Sequence, residues 1–287
     1  MIEKIVLIAD SGATKTDWLI NDFENEIRTV QTIGFNPYYV DSKVIYDELT
    51  KNLYPYIDNN IVEEVHFYGA GCSNSMNCMV VKNALEDFFP EAKTISVEHD
   101  LLGSARALLG NDKGISCILG TGSNSCLYDG NQIIENVPSL GFFLADEGSG
   151  AYMGKLLIRD YFFGDLPPEI KEAFDARYYT NLEKVLDEVY NKPRPNRYVA
   201  SFTHFLQDHI SNKHLRELVK KAFNDYFDVQ ICRYTDYNKV PMSAVGSIVY
   251  HFEEIFREVA NEHGIKVDQI LKSPLEGLIN YHFNNKL

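Results

Sequence analysis

Three aspartates in this chain stand where a carboxylate can do chemistry. Asp10 ends an apolar run, Asp100 follows a short strand through Glu98 and His99, and Asp146 precedes Glu147 and a Gly-Ser-Gly segment. Open α/β sheets bind ligands at the carboxyl ends of their strands, and an aspartate placed there can take a proton from a substrate hydroxyl. Two glycine turns rich in hydroxyls accompany them, SGATKT at 11–16 and GTGSNS at 120–125. Glycine lets backbone N–H groups approach an anion closely, and Thr14, Lys15 and Thr16 add donors and positive charge, so such turns suit a phosphate. The GxxxxGK[ST] loop is absent, and the first turn leads into a strand rather than a helix, which makes this a different kind of cradle. With phosphates nearby, Asp10 could anchor Mg2+ through water. Each feature also has a plainer reading. Asp100 can cap a helix from Leu101, Asp146 and Glu147 can cap one from Tyr152, and the first turn can be an ordinary hairpin. His99 invites a catalytic role, although a lone histidine is more often structural, and no Ser-His-Asp or metal-ligand spacing stands out.

The elements that position these residues follow from hydrophobic periodicity. Ile5–Ala9, Trp18–Asn21 and Ile27–Thr32 read as three successive strands. A helix over Val44–Leu53 carries Ile45, Leu49 and Leu53 on one face, and a buried strand over Val65–Tyr68 leads to GAGCS. A helix over Asn77–Phe89 ends at Pro90, a strand covers Thr94–Val97, and a helix over Leu101–Leu109 stops at Gly110. Three strands followed by alternating helices and strands imply a mixed sheet with helices on its faces. The opening pattern then recurs: strand Ile115–Leu119, the GTGSNS turn, strand Cys126–Tyr128, and the Asp129-Gly130 hairpin signal before Gln132–Ile134. Two such hairpins, one per domain, are expected to face each other across a cleft. Leu166–Phe227 reads as mostly helical, interrupted by a Pro-rich loop at Asn191–Asn196. Met242–Gly246 gives a short strand and turn, Ser247–Glu262 one helix, and Pro274–Phe283 a last helix.

Composition narrows the function classes. The 287 residues suit two domains, and 41 acidic against 27 basic residues leave a formal charge of -14. That balance argues against a nucleic-acid partner or an anionic membrane surface. A start without a basic leader, and apolar runs shorter than a membrane span, lead us to expect a cytoplasmic protein. The five cysteines, Cys72, Cys78, Cys117, Cys126 and Cys232, are odd in number and lack CxxC spacing, so free thiols are expected. No oligomeric state is specified, with a homodimer left open.

Several segments together resemble the N-acetylglucosamine kinase family. They are DSGATKTD at 10–17, EHD at 98–100, LGTGSNS at 119–125, GFFLADEGSGAY at 141–152 and SAVGSIVYHFEEIF at 243–256. The family is the BadF/BadG/BcrA/BcrD-type ATPase branch of the sugar kinase, actin and Hsp70 ATPase fold. The similarity spans nearly the whole chain in order, and GTGSN followed by DEGS is its specific part. It implies two actin-like (ribonuclease H-like) α/β domains, with nucleotide and sugar in the cleft between them. The first would be 1–103, joined by a C-terminal helix within 274–287, and the second 104–273, with the helical segment 166–227.

By the same resemblance, Ser11, Gly12, Thr14 and Lys15 with Gly120, Thr121 and Gly122 hold ATP phosphates, while Gly246 and Ser247 lie at the adenosine. Asp100 is the base, and Asn36, Ser123, Gly141, Asp146 and Gly150 surround the sugar. Mg2+ at Asp10 rests on the residues themselves and not on the resemblance. Two departures stand out. Ser139, Leu140, Gly141 and Phe142 replace the family's Gly-Trp-Gly-His pattern, and Asp10 with Ser11 replaces a more glycine-rich opening. The expected activity is ATP-dependent phosphorylation of an N-acetylated amino sugar, N-acetylglucosamine first, at its 6-hydroxyl. The alternatives are a BadF/BadG-type activating ATPase with a cluster held by cysteines, and a regulator that binds nucleotide or sugar without catalysis.

Overall fold

The structure is a computed structural model that describes residues 4–12, 14–21, 27–57 and 61–283. It divides into two compact units, Met1–Gly110 with Pro274–Leu287, and Asn111–Ser273.

In the first unit, strands β1 (Lys4–Ser11), β2 (Lys15–Asn21) and β3 (Arg28–Ile33) form an antiparallel meander. Helices α1 (Ser42–Asn52) and α2 (Tyr54–Ile57), strand β4 (Ile61–Gly69), helix α3 (Ser75–Phe88), strand β5 (Thr94–His99) and helix α4 (Asp100–Leu109) follow. The sheet order is β3-β2-β1-β4-β5, with β1, β4 and β5 parallel. Central β1 is buried on both faces, which is why it reads as an unbroken apolar run rather than an alternating one. Ile5, Leu7, Ala9, Trp18 and Ile20 join the core with Ile45 and Leu49 of α1 and Val81, Ala84 and Leu85 of α3. Ile8, Leu19 and Tyr68 pack on the other face with Ala107 of α4 and with Leu278 of helix α14 (Leu275–Phe283). Beneath the β1–β2 turn, the stacked rings of Phe35 and Phe67 lie 6.2 Å apart beside Trp18, all fully buried. Burying either phenylalanine contributes about 2–3 kcal/mol, and together they hold the turn on a rigid base.

The second unit repeats this topology. Strands β6 (Gly114–Leu119), β7 (Ser123–Tyr128) and β8 (Ile133–Glu135) are again an antiparallel meander. After them come α5 (Gly141–Leu144), α6 (Gly150–Phe163), α7 (Pro168–Tyr178), α8 (Leu182–Tyr190), α9 (Pro195–Ala200), α10 (Thr203–Asp208) and α11 (Lys213–Val229). A 3₁₀ turn at Ile231–Arg233, strand β9 (Met242–Val245), helices α12 (Ser247–His251) and α13 (Glu253–Glu262) and strand β10 (Val267–Leu271) complete it. The order β10-β9-β6-β7-β8, with β6, β9 and β10 parallel, places β6 where β1 stands in the first unit.

Several boundaries differ from the sequence reading. Strand β2 starts at Lys15, because its polar N-terminal end pairs with β1 up to Ser11↔Thr16. The helix expected over Ser247–Glu262 is two helices, broken at Phe252, whose ring is buried in the core. The Pro-rich loop is shorter than expected, since Pro195 is the first residue of α9, where a missing N–H is harmless. Strand β10 was not expected: it lies at the sheet edge, and Asp268 and Gln269 hide its apolar pattern. The third expected strand began at Ile27, whereas β3 begins at Arg28. Ala13 of the first turn and residues 284–287 of the expected terminal helix lie outside the described residues. No described helix is long and apolar enough to cross a membrane.

Candidate active site

The first glycine turn is built from the inside out. Thr16 Oγ1 donates to the Ile33 carbonyl at 2.8 Å, and Ser11 Oγ lies 2.8 Å from Thr16 Oγ1. Because the Thr16 proton is committed to Ile33, the Ser11 hydroxyl donates to Thr16 while accepting from the Phe35 N–H at 2.9 Å. Ser11 is therefore a buried brace, its hydroxyl spent inside the fold and its carbonyl accepting from the Ala70 N–H at 2.7 Å. The Gly12 N–H donates to the Lys15 carbonyl at 2.9 Å and the Gly34 N–H to the Thr14 carbonyl at 3.1 Å, closing the turn. Lys15 Nζ sits 2.7 Å from Asp17 Oδ2, with its side chain 53% exposed. Exposed pairs of this kind contribute only about 0–1 kcal/mol, so a phosphate can draw the ammonium away at little expense.

On the same face as the Lys15–Asp17 pair, Asp10 stands directly across from Asp17. Burial, then the charges of Asp100 and Asp17, push the Asp10 carboxyl up to about 7 despite Lys15 nearby. Asp100 is the first residue of α4, directly after β5. It is not the cap of that helix: His99 is, its Nδ1 accepting from the Leu101 N–H at 3.1 Å. The same Nδ1 lies 3.0 Å from Asp100 Oδ1. Burial raises the Asp100 pKa and His99 opposes it. His99 thus takes the cap of the helix that Asp100 opens and leaves the carboxylate uncommitted to that role. Asn36 stands on a neighbouring loop, its Oδ1 accepting from the Tyr38 N–H at 3.0 Å. Gly71, at φ +85, makes room for it, since a Cβ there would lie 2.5 Å from Asn36 Oδ1. With Oδ1 engaged by the chain, the NH2 group is what Asn36 can give a ligand.

In the second unit the predicted residues interlock. The Gly120 N–H donates to the Gly122 carbonyl, and the carbonyls of Gly120 and Thr121 accept from the N–H groups of Gly150 and Ala151 at 2.9 and 3.1 Å. Those two N–H groups open α6, where no earlier turn exists to receive them. With its three carbonyls engaged by the chain, the turn presents N–H groups to an anion. Ser149 caps α6 through its side chain, which accepts from the Tyr152 N–H. Ser123 Oγ donates to the Glu147 carbonyl at 2.7 Å. A Cβ on Gly122 would lie 3.0 Å from Asp146 Oδ2, so glycine lets the turn press against that carboxylate. Asp146 is buried with φ 65, a left-handed backbone that a non-glycine residue adopts at a cost. Burial raises its pKa, against bonds from the Ser123 N–H and Ser139 and the charge of Lys155. Gly246, at φ +130, closes on β6, where a Cβ would stand 2.2 Å from the Leu119 carbonyl oxygen. Ser247, which opens α12, is exposed.

Gly141 stands apart from this cluster, with no heavy atom within 4 Å of where its Cβ would be. Leu140, Phe143 and Leu144 around it are exposed, and the Phe142 carbonyl accepts from Lys155 Nζ at 2.8 Å. Glu147, beside Asp146, carries a polar atom that the fold leaves unmatched. Glu147 Oε2 is buried among the described residues with no hydrogen-bond partner. A buried orphan of that kind costs about 1–3 kcal/mol, or more for a charged group, unless a ligand satisfies it. The sequence groups Glu147 with Asp146 in a cluster able to bind hydroxyls or to cap the helix from Tyr152.

The donor sets fit the groups that the reading requires. Asp10, Asp17 and Asp100 concentrate negative charge that a hard divalent cation would neutralise, and Mg2+ takes one or two carboxylates and keeps several waters. The second turn, its carbonyls engaged by the chain, offers N–H groups that fit a phosphate, and the first offers the Lys15 ammonium.

No family model and no curated protein matches the chain. Among solved structures, a candidate N-acetylglucosamine kinase from Porphyromonas gingivalis is similar with a TM-score of 0.93 at 39% identity, over 98% of this chain and 100% of that one. The chain belongs to the N-acetylglucosamine kinase family. A second candidate kinase of that name, from Chromobacterium violaceum, shares the fold at a TM-score of 0.64 and 14% identity, over 98% and 99% of the two chains. A ROK family glucokinase from Streptomyces griseus, solved with glucose and AMPPNP, shares it at 0.56 and 16%, over 96% and 97%. The fold is that of the two-domain, actin-like sugar kinases, and both units of this family member carry its five-stranded mixed sheet flanked by helices.

Proposed function

We propose that this member of the N-acetylglucosamine kinase family transfers the γ-phosphoryl group of ATP to the 6-hydroxyl of an N-acetylated amino sugar, N-acetylglucosamine first. The observation that carries the reading is the placement of Asp100, half-buried at the carboxyl end of β5 with its charge felt by Asp10. The name of the P. gingivalis relative and the glucose and AMPPNP of the S. griseus structure support the substrate classes.

Asp100 accepts the proton of the sugar 6-hydroxyl, whose oxygen bonds to the γ-phosphorus as the bond to the β–γ bridging oxygen breaks and ADP leaves. Phosphoryl transfer asks a protein mainly for alignment and charge neutralisation. Backbone N–H groups of Thr121 and Gly122 hold phosphate oxygens and Lys15 adds positive charge, while the Gly12 and Gly120 N–H groups close their own turns. Asp10 would hold Mg2+ through water, and the ion would neutralise phosphate charge. Gly246 and Ser247 take the adenosine side. Asn36, Ser123, Asp146 and Gly150 take the sugar side, with Glu147 as an added acceptor for a sugar hydroxyl.

The activating-ATPase alternative finds no support in the cysteines. Cys117 is fully buried within β6, and burial pushes its thiol up to about 12, which suits a core side chain rather than a cluster ligand. A coupled ADP-release assay across amino sugars and hexoses tests the proposal. We expect the highest kcat/KM with N-acetylglucosamine. Equal turnover of glucose would overturn the amino-sugar assignment, and no sugar-dependent ADP release would overturn the kinase.

A further inference from the structure

The second unit carries a cluster of soft and borderline metal ligands that the kinase reading does not use. Asp228 lies in the last turn of α11, Cys232 in the 3₁₀ turn that follows, and His263 directly after α13. One ligand atom from each lies within 4.8 Å of the other two. Cys232 Sγ is 3.7 Å from His263 Nδ1, and His263 Nδ1 is 4.0 Å from Asp228 Oδ1. In a tetrahedral site with Zn–S near 2.3 Å and Zn–N and Zn–O near 2.1 Å, these edges would be about 3.6 and 3.4 Å. The sulfur–nitrogen edge is already set. The carboxylate edge is wide by a fraction of an ångström, and the Asp228 side chain, 67% exposed, is free to close it by rotation.

The histidine is also oriented in the manner of a ligand. Asn224 Nδ2 donates to the Lys220 carbonyl at 3.0 Å, which fixes the amide with Oδ1 toward His263 Nε2 at 3.2 Å. His263 therefore donates through Nε2–H and keeps its Nδ1 lone pair for the side where Cys232 and Asp228 stand. Metal-bound histidines characteristically donate their other N–H to an oxygen acceptor in this way. The ring is further held by stacking on Phe227, centroids 5.2 Å apart. Asn224, Asp228 and Cys232 recur every four residues, so successive turns supply the orienting acceptor and two of the ligands.

We propose that Cys232, His263 and Asp228 bind a zinc-class divalent ion, with water in the fourth position, clamping the C-terminal end of α11 to that of α13. Thiolate, imidazole and carboxylate together select zinc over magnesium or calcium. Binding releases the Cys232 thiol proton to solvent. Chelator-treated protein titrated with Co2+ should develop a sulfur-to-cobalt charge-transfer band that Zn2+ then displaces, and bound Zn2+ should raise the melting temperature. Cys232→Ser should abolish the band, which separates this site from the other thiols. Asp228→Asn, at an exposed position, should weaken binding, and Asn224→Leu should weaken it roughly 10- to 100-fold while keeping the band. No charge-transfer band in the wild-type protein, or an equal band in folded Cys232→Ser, overturns the site. None of these readouts depends on kinase activity, so failure here leaves the proposed function standing.

Discussion

Replacing Asp10 by Asn should stabilise the nucleotide-free protein while impairing its use of Mg2+ and ATP. The Asp10 carboxyl is raised from 3.8 to about 7 by burial and by the charges of Asp100 and Asp17. Because the native pKa lies above the unfolded one, the folded protein holds a proton between about pH 4 and 7 that the unfolded chain has lost. Stability from this group therefore rises as pH falls through that window, and above about pH 7 the full penalty of an ionised Asp10 is present. A shift of roughly three units corresponds to about 4 kcal/mol, of which about 2.6 kcal/mol develops between pH 5 and 8. Partial solvent access screens it, leaving about 1–3 kcal/mol. The assay is urea denaturation in chelator at pH 5 and pH 8, following the transition of the first unit. Asp10→Asn should gain on the wild type by that amount more at pH 8 than at pH 5. A difference between the two proteins that stays constant across this range would refute the account of Asp10 as a strained carboxylate. Mg2+ added with ATP should narrow the difference by stabilising only the wild type.

Asp100→Asn keeps the shape and removes the proton acceptor, so kcat should fall roughly 10²- to 10⁴-fold, with ATP affinity by calorimetry nearly unchanged. Near-normal turnover would remove Asp100 from the role of base. Gly122→Val places a branched side chain where even a Cβ stands 3.0 Å from Asp146 Oδ2, so nucleotide affinity should drop in a protein with unchanged circular dichroism. Unchanged ATP affinity would contradict a phosphate-binding turn. Asn36→Ala removes the NH2 group beside Gly71 and should narrow the preference for N-acetylglucosamine over glucose, because unpaired polar groups reject the wrong ligand. An undiminished preference in kcat/KM would take Asn36 out of specificity.

The amino-acid sequence by itself determined the architecture and proposed the residues of a site, because strands, turns and glycine loops are written in local patterns. The unbroken apolar run of β1, the glycine turns and the recurrence of the hairpin at β6–β7 are short-range signals, and they revealed the repeated sheet. What failed locally was of two kinds. The edge strand β10 carries polar residues because one flank lacks a neighbour, and the break at Phe252 depends on where a buried ring points. Tertiary structure alone decided what each polar atom does. Ser11 looked like a phosphate ligand and is a brace, because Thr16 and Phe35, close only in the folded sheet, consume its hydroxyl. Asp100 looked like a helix cap, and the ring of His99 takes that place. Glu147, grouped with Asp146 in the sequence, is set apart from other surface carboxylates only by folding, which buries its oxygen without a partner. Cys232 read as an ordinary thiol because metal motifs are recognised by close spacing. The chain brings His263 to it across 31 residues, through the packing of α13 on α11. Periodicity reports which face of an element is buried, whereas hydrogen bonds and ligand sets are made between elements, and only the packed fold selects those partners.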